Sequence, residues 1–203
     1  MTGSKLIYGV VKKLSRFIFA SKITEISGAD NLPMRGGYIL AANHVDWLDG
    51  FYLAVAVDQA RGRPVNFLST SNNYWWTTVA VKIPSDRSAA VTIAARQLQQ
   101  GKIVCNFPEG VRNAGPTMGP GKTGTVRMAL AARAPVVPVG ITCDAGQTMT
   151  KSIQFLLSKQ HPVRVAFGPP LIFHADGPIT NDWLHHATDK LMRAIAPLAD
   201  KQF

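Results

Sequence analysis

The chain of 203 residues is 46% hydrophobic and 17% charged, a balance that suits one globular α/β domain able to bury roughly 70% of its unfolded surface. Its 22 Lys and Arg against 12 acidic residues leave a charge of +10, a field that favours anionic partners: nucleic acid, an anionic membrane surface or phosphorylated substrates. Two cysteines exclude a disulfide framework, and the lack of any apolar run near roughly 18 residues excludes a membrane span.

Residues 3–20 place Leu6, Ile7, Val10, Val11, Leu14, Phe17 and Ile18 at helical spacing, with Lys5, Lys12, Lys13 and Arg16 interleaved. The pattern predicts a basic amphipathic helix within 1–22, suited to a membrane interface or, equally, to packing its stripe on the domain. Lys12 and Lys13 interrupt the apolar run that a signal peptide needs. Ile23–Ser27 reads as a strand, and a Gly/Asn/Pro turn then leads to a second, Tyr38–Ala42, bounded by Gly36 and Gly37. From about Asp49 the run Phe51–Val57 is apolar on every face and predicts a buried helix. A basic turn, Arg61-Gly62-Arg63-Pro64, precedes a strand at Val65–Ser69. Tyr74, Trp75 and Trp76 read as core or groove lining rather than as headgroup anchors.

Ile83-Pro84-Ser85-Asp86-Arg87 leads into a helix over about 86–100, with Val91, Ala94, Ala95 and Leu98 inward and Gly101 as its stop. Arg87 falls in the first turn, where the helix dipole opposes a cation; it is either a surface residue or the holder of a phosphate. A strand over Lys102–Phe107 then runs into Pro108-Glu109-Gly110-Val111-Arg112-Asn113. Glu109 is one of only two glutamates, and its place between Pro and Gly suits a turn cap, a hydroxyl ligand or a brace for Arg112. The loop Gly115–Gly124 opens a helix to about Arg133, and such a junction presents N–H groups to phosphate. It imitates two nucleotide motifs without matching either. Gly119-x-Gly121-x-x-Gly124 lies too far beyond its strand, and Pro116 stands where a P-loop needs its first glycine.

Pro135–Cys143 is a strand with proline at its entry, and Val163–Phe167 and Leu171–Phe173 flank Gly168-Pro169-Pro170. The last helix, about 180–196, carries Leu184, Ala187, Leu191 and Ile195 on one face. Asp182, His185, His186 and Asp189 read as its solvated side, so no metal site is expected. Cys105 and Cys143 sit in apolar strands and read as reduced thiols, which suits the cytoplasm.

One stretch carries chemistry. His44 falls at the carboxyl end of the Tyr38–Ala42 strand, where open α/β sheets place their ligands. Asp49 follows at the start of the next helix, close enough to fold back onto the imidazole. A carboxylate there fixes the tautomer and stabilises the charged ring, as a general base requires. With five His and ten Asp in the chain the pair alone is weak; a helix-start carboxylate and a core histidine remain open.

Four blocks in order add to it. Asn43-His44 with Asp49 resembles the first motif of the glycerolipid acyltransferase family, the lysophosphatidic acid acyltransferase group in particular. Ile83–Arg87 is similar to its second motif, which ends in arginine. Phe107-Pro108-Glu109-Gly110 with Arg112 resembles the third, Lys122-Thr123-Gly124 the Lys-x-Gly that follows, and Val136-Val137-Pro138-Val139 the fourth. The match spans 38–141. Departures are Asp46 for the usual serine, a carboxylate that competes for His44; Lys82 for glycine; Val111 and Asn113 around Arg112; and Gly121 for an aromatic.

The resemblance implies a mixed, mostly parallel sheet flanked by helices, and an O-acyltransferase. A fatty acyl group would pass from CoA or acyl carrier protein to the hydroxyl of a phosphorylated lipid such as 1-acylglycerol-3-phosphate. It makes His44 the general base and Asp49 its orienting partner, with Arg87, Glu109, Gly110, Arg112, Lys122 and Gly124 holding the acceptor. No cofactor or metal is implied. Neither a Gly-x-Ser-x-Gly elbow nor a reactive setting for Cys105 points to a covalent intermediate. The expected seat is the cytoplasmic surface of an anionic membrane, with no nucleic acid. The same chemistry on a glycolipid or specialised-metabolite hydroxyl, a non-catalytic membrane-binding module, and nucleotide binding at 119–124 are the alternatives.

Overall fold

The computed structural model describes residues 17–69, 81–82, 87–143, 148–158 and 162–203. The expected alternation of strand and helix is present: β1 (Ile23–Ser27), β2 (Tyr38–Ala42), α1 (Asp49–Arg61), β3 (Val65–Ser69), β4 (Val81–Lys82), α2 (Arg87–Gln99), β5 (Ile103–Asn106), α3 (Gly124–Ala132), β6 (Val136–Thr142), α4 (Met149–Leu157), β7 (Val163–Phe167) and α5 (Asn181–Ile195). The strands form one sheet in the order β1-β7-β6-β2-β5-β3-β4. Every pairing is parallel except β6 with β7. The sheet is therefore mixed and mostly parallel, as the resemblance implies.

Alternation along β2 shows why its five residues are all buried. Tyr38, Leu40 and Ala42 join a cluster with Tyr52, Leu53 and Ala56 of α1 and Phe155 of α4. Ile39 and Ala41 face the opposite layer, with Ala94 and Leu98 of α2, Met128 of α3, and Leu191 and Ile195 of α5. The result is helix, sheet, helix. Each fully buried aliphatic or aromatic side chain contributes about 1.5–3 kcal/mol, so these two layers hold the sheet between them.

Two glycines let elements approach. A Cβ on Gly140 of β6 would lie 2.0 Å from the carbonyl oxygen of Leu198, so the turn Ala196–Ala199 rests directly on the strand. A Cβ on Gly121 would lie 2.7 Å from Thr188 and 2.8 Å from Met192, so α5 fills the space beside the glycine-rich loop.

Some sequence expectations change. Within residues 17–20, which are helical, Phe17 is 79% exposed and Phe19 is the inward residue, stacked 5.0 Å from Phe51. The stripe drawn through Phe17 and Ile18 is thus not the packed face here, because Phe19 reaches the pocket beside α1. Leu171 makes one isolated bridge to Val136. Residues 1–16 of the amphipathic segment, Tyr74, Trp75 and Trp76, the stretch 83–86, and the side chains of Lys82 and Arg87 lie outside the described residues.

Candidate active site

The carboxyl end of β2 is fixed first. Asn43, fully buried, donates through Nδ2 to the carbonyl of Ile141 at 2.9 Å and accepts the Ile141 N–H at 2.7 Å. This amide bridge ties the strand end to β6, and the next residue is His44.

His44 Nδ1 meets Oδ2 of Asp49 at 2.8 Å, as the spacing predicts. The same oxygen accepts the backbone N–H groups of Val45 at 2.6 Å and Asp46 at 2.8 Å. Three donors on one buried oxygen hold the carboxylate rigid; α1 begins at Asp49, so the helix start supplies favourable polarity as well. A carboxylate accepts, so Nδ1 carries the proton, and in the neutral ring the lone pair is on Nε2. The imidazole is 19% exposed. Its ring stacks on Phe107, centroids 4.2 Å apart.

Asp46 does not compete for the imidazole. Its Oδ1 accepts the Leu48 N–H at 2.8 Å, closing the turn before α1. Burial raises its carboxyl above the usual range, against the Ser152 hydroxyl and the Leu48 N–H, while Asp49 raises it further and His44 lowers it. The turn geometry that delivers Asp49 to His44 leaves Asp46 facing the backbone.

The segment 107–113 folds over this pair. Asn113 donates its N–H to the carbonyl of His44 at 2.6 Å. Arg112 lies over the Trp47 ring, its guanidinium carbon 3.7 Å from the centroid. Glu109, 3% exposed, turns inward: its Oε2 accepts from Asn113 Nδ2 and from the Gly119 N–H, each at 2.9 Å. Of the three expected uses of Glu109, the turn cap is the one these bonds describe; no ion pair joins it to Arg112 among the described residues. Gly110 adopts φ +68°, and the Lys122 side chain passes so near that a Cβ on Gly110 would meet its Nζ at 2.4 Å. Lys122 N–H donates to Pro108 O at 2.8 Å, which brings the third block and the Lys-x-Gly block together. Gly124 opens α3 with free space around its Cα.

Not all the positive charge is available to a ligand. Arg61 donates to the carbonyls of Ala29 at 2.6 Å and Leu32 at 3.0 Å, and Arg63 to those of Gly36 at 2.7 Å and Gly101 at 2.6 Å. The basic turn is a fastening between loops. Cys105 is buried, and that burial pushes its thiol well above the ordinary range, which fits a packed side chain and not a nucleophile. Sequence reasoning brought His44, Asp49, Gly110, Arg112 and Lys122 to one place. It missed Phe107 as the floor of the imidazole and Trp47 as the seat of Arg112. A Trp inside the His-x4-Asp stretch was the available signal for the second.

A family model described as Acyltransferase matches residues 23–142. The chain is 32% identical over 146 residues to an uncharacterized protein of Mycobacterium tuberculosis, covering 65% of this chain and 41% of that one. It thus spans about two fifths of the length of the mycobacterial relatives it matches. It is 27% identical over 154 residues to the 1-acyl-sn-glycerol-3-phosphate acyltransferase of Bacillus subtilis, covering 72% of this chain and 73% of that one. The crystal structure of the 1-acyl-sn-glycerophosphate acyltransferase of Thermotoga maritima superposes with a TM-score of 0.63 at 17% identity, over 98% of this chain and 84% of that one, and has the same fold.

Proposed function

Because the chain belongs to the Acyltransferase family, we propose that it moves a fatty acyl group from a thioester, on CoA or acyl carrier protein, to a hydroxyl of a phosphorylated lipid such as 1-acylglycerol-3-phosphate. The observation that carries this is the His44 Nδ1–Asp49 Oδ2 bond of 2.8 Å, which leaves Nε2 as a base at the carboxyl edge of the sheet. Nε2 takes the proton of the acceptor hydroxyl as its oxygen attacks the thioester carbonyl. The carbon–sulfur bond then breaks, and the departing thiolate takes that proton back. The buried Asp49 carboxylate balances the imidazolium in between. General-base catalysis by a placed side chain is worth about 10² to 10⁴-fold, or about 3–5 kcal/mol.

Arg112 on Trp47 and Lys122 over Gly110 supply cations beside the base and suit an acceptor phosphate, with Arg87 a third candidate. Glu109 serves that reading indirectly, by tying the 109–113 segment to Gly119. The relatives named as 1-acyl-sn-glycerol-3-phosphate acyltransferases support a phosphate-bearing acceptor. No helix among the described residues is long and apolar enough to cross a membrane. A charge of +10 with exposed Phe17 and Leu157 suits a peripheral seat on an anionic bilayer. The deciding experiment mixes purified chain, labelled acyl thioester and 1-acylglycerol-3-phosphate and follows product by mass spectrometry. His44→Ala should abolish transfer with the fold retained; near-normal turnover by that variant would end the proposal.

A further inference from the structure

The segment 112–118 carries Arg112 and touches His44, yet it lies in no regular element apart from one bridge residue. Its shape is held from the other end of the sequence. After α5 the chain tightens into the 3₁₀ turn Ala196–Ala199, and Asp200, at φ +53°, redirects it. Lys201 N–H donates back to Ala196 O at 2.9 Å. Gln202 then pairs in parallel with Thr117: its N–H reaches Pro116 O at 2.9 Å, and Met118 N–H reaches Gln202 O at 2.8 Å.

This pairing delivers the Lys201 side chain to the loop. Its Nζ donates to Asn113 O at 2.6 Å and Gly115 O at 2.5 Å, with the residue half-buried. An ammonium taken from water is costly unless its protons find acceptors, and here two carbonyls supply them. Burial lowers its pKa, and the carboxylates of Glu109 and Asp49 raise it. Asn113 is the junction: its carbonyl holds Lys201, its N–H holds the carbonyl of His44 at 2.6 Å, and its side chain holds Glu109. Arg112, one residue earlier, is thereby set at a fixed reach from the base.

We propose that Lys201 is a positioning residue for the acceptor: through Asn113 and Gly115 it fixes the loop that places Arg112 relative to His44. This rests on the acyl-transfer reading above. A rigid ammonium strap is needed because a misplacement of about 1 Å at a binding cation costs up to about 10²-fold in rate.

The test compares Lys201→Met and Lys201→Arg in the full chain, with acceptor and thioester concentrations varied separately. For Lys201→Met the expected result is an acceptor KM raised about tenfold or more, with the thioester KM within about twofold. Lys201→Arg, which restores charged donors, should recover most of the loss. Equal changes in both KM values, no change in either, or no recovery by Arg would overturn the proposal. Lys201→Gln, judged by the same criteria, replaces Lys201→Met if that variant does not fold. Hydrogen exchange of the Asn113 amide is read in parallel. If the wild-type chain transfers no acyl group, the acyl-transfer reading fails, and the strap is judged by exchange alone. Faster exchange at Asn113 in Lys201→Met then supports it, and unchanged exchange overturns it.

Discussion

Phe107 lies nearly flat on the imidazole of His44, the two ring planes inclined by 19°. It arrives from the end of β5, which pairs directly with β2, so the two side chains share the carboxyl end of neighbouring strands. The ring confines the imidazole to the plane in which Nδ1 meets Asp49. Phe107→Leu keeps an apolar contact and loses the flat one, a difference of about 0.5–1.5 kcal/mol in packing. We expect kcat to fall about tenfold with little change in melting temperature. Steady-state kinetics beside a thermal melt would show it; an unchanged kcat would mean that Asp49 alone orients the ring.

Asp49→Asn tests the charge beside the imidazole. An Asn oxygen in the place of Oδ2 still accepts from Val45, Asp46 and His44 Nδ1, so the turn and the Nδ1–H tautomer survive while the negative charge is lost. The imidazolium formed during transfer is then unbalanced. The expected loss in kcat is about 10² to 10⁴-fold. Two-dimensional NMR of the ring nitrogens checks that the tautomer is kept, and an unchanged kcat would contradict the account.

Asn43→Ala should cost stability more than any surface change. It leaves the N–H and carbonyl of Ile141 without their side-chain partner in a fully buried place. Unmet buried groups cost about 1–3 kcal/mol each, so a loss of about 2–4 kcal/mol is expected. Urea unfolding measures it, and a shift below about 1 kcal/mol would mean that the neighbouring strands close the gap.

Asp46 gives a pH signature. Its folded carboxyl is raised above 3.8, chiefly by burial, so the folded chain holds this proton more tightly than the unfolded chain does. Its contribution to stability is whole below the unfolded value and is lost as pH rises through the folded one. Asp46→Asn keeps an acceptor for the Leu48 N–H and removes the titration. The variant should therefore gain on the wild type as pH increases from about 4 to about 8. Melts across that range should show the gap widening upward; a gap that stays flat would place the burial penalty elsewhere.

The geometry of the candidate site was legible where it is local. A short apolar strand, a histidine and an aspartate at the next helix start need only five residues of chain, and they meet as the spacing requires. Partners fixed by the folded sheet were not legible. Asn43 finds Ile141 98 positions away, and Lys201 finds Asn113 88 positions away; nothing near either residue announces the match. Glu109 stood out by rarity, yet its direction depended on where the glycine-rich loop lands. Arg61 and Arg63 counted towards the charge of +10, but the carbonyls they meet lie in loops distant in sequence. Gly121 suggested a cradle, and it is α5 that comes against it.

Among the described residues, the strand that leads to His44 is the fourth of seven, with three on either side. Thermal fraying starts at open margins, so it dies away across several ladders before it reaches the imidazole. The rim can thus loosen while the imidazole stays as still as the middle plank of a raft.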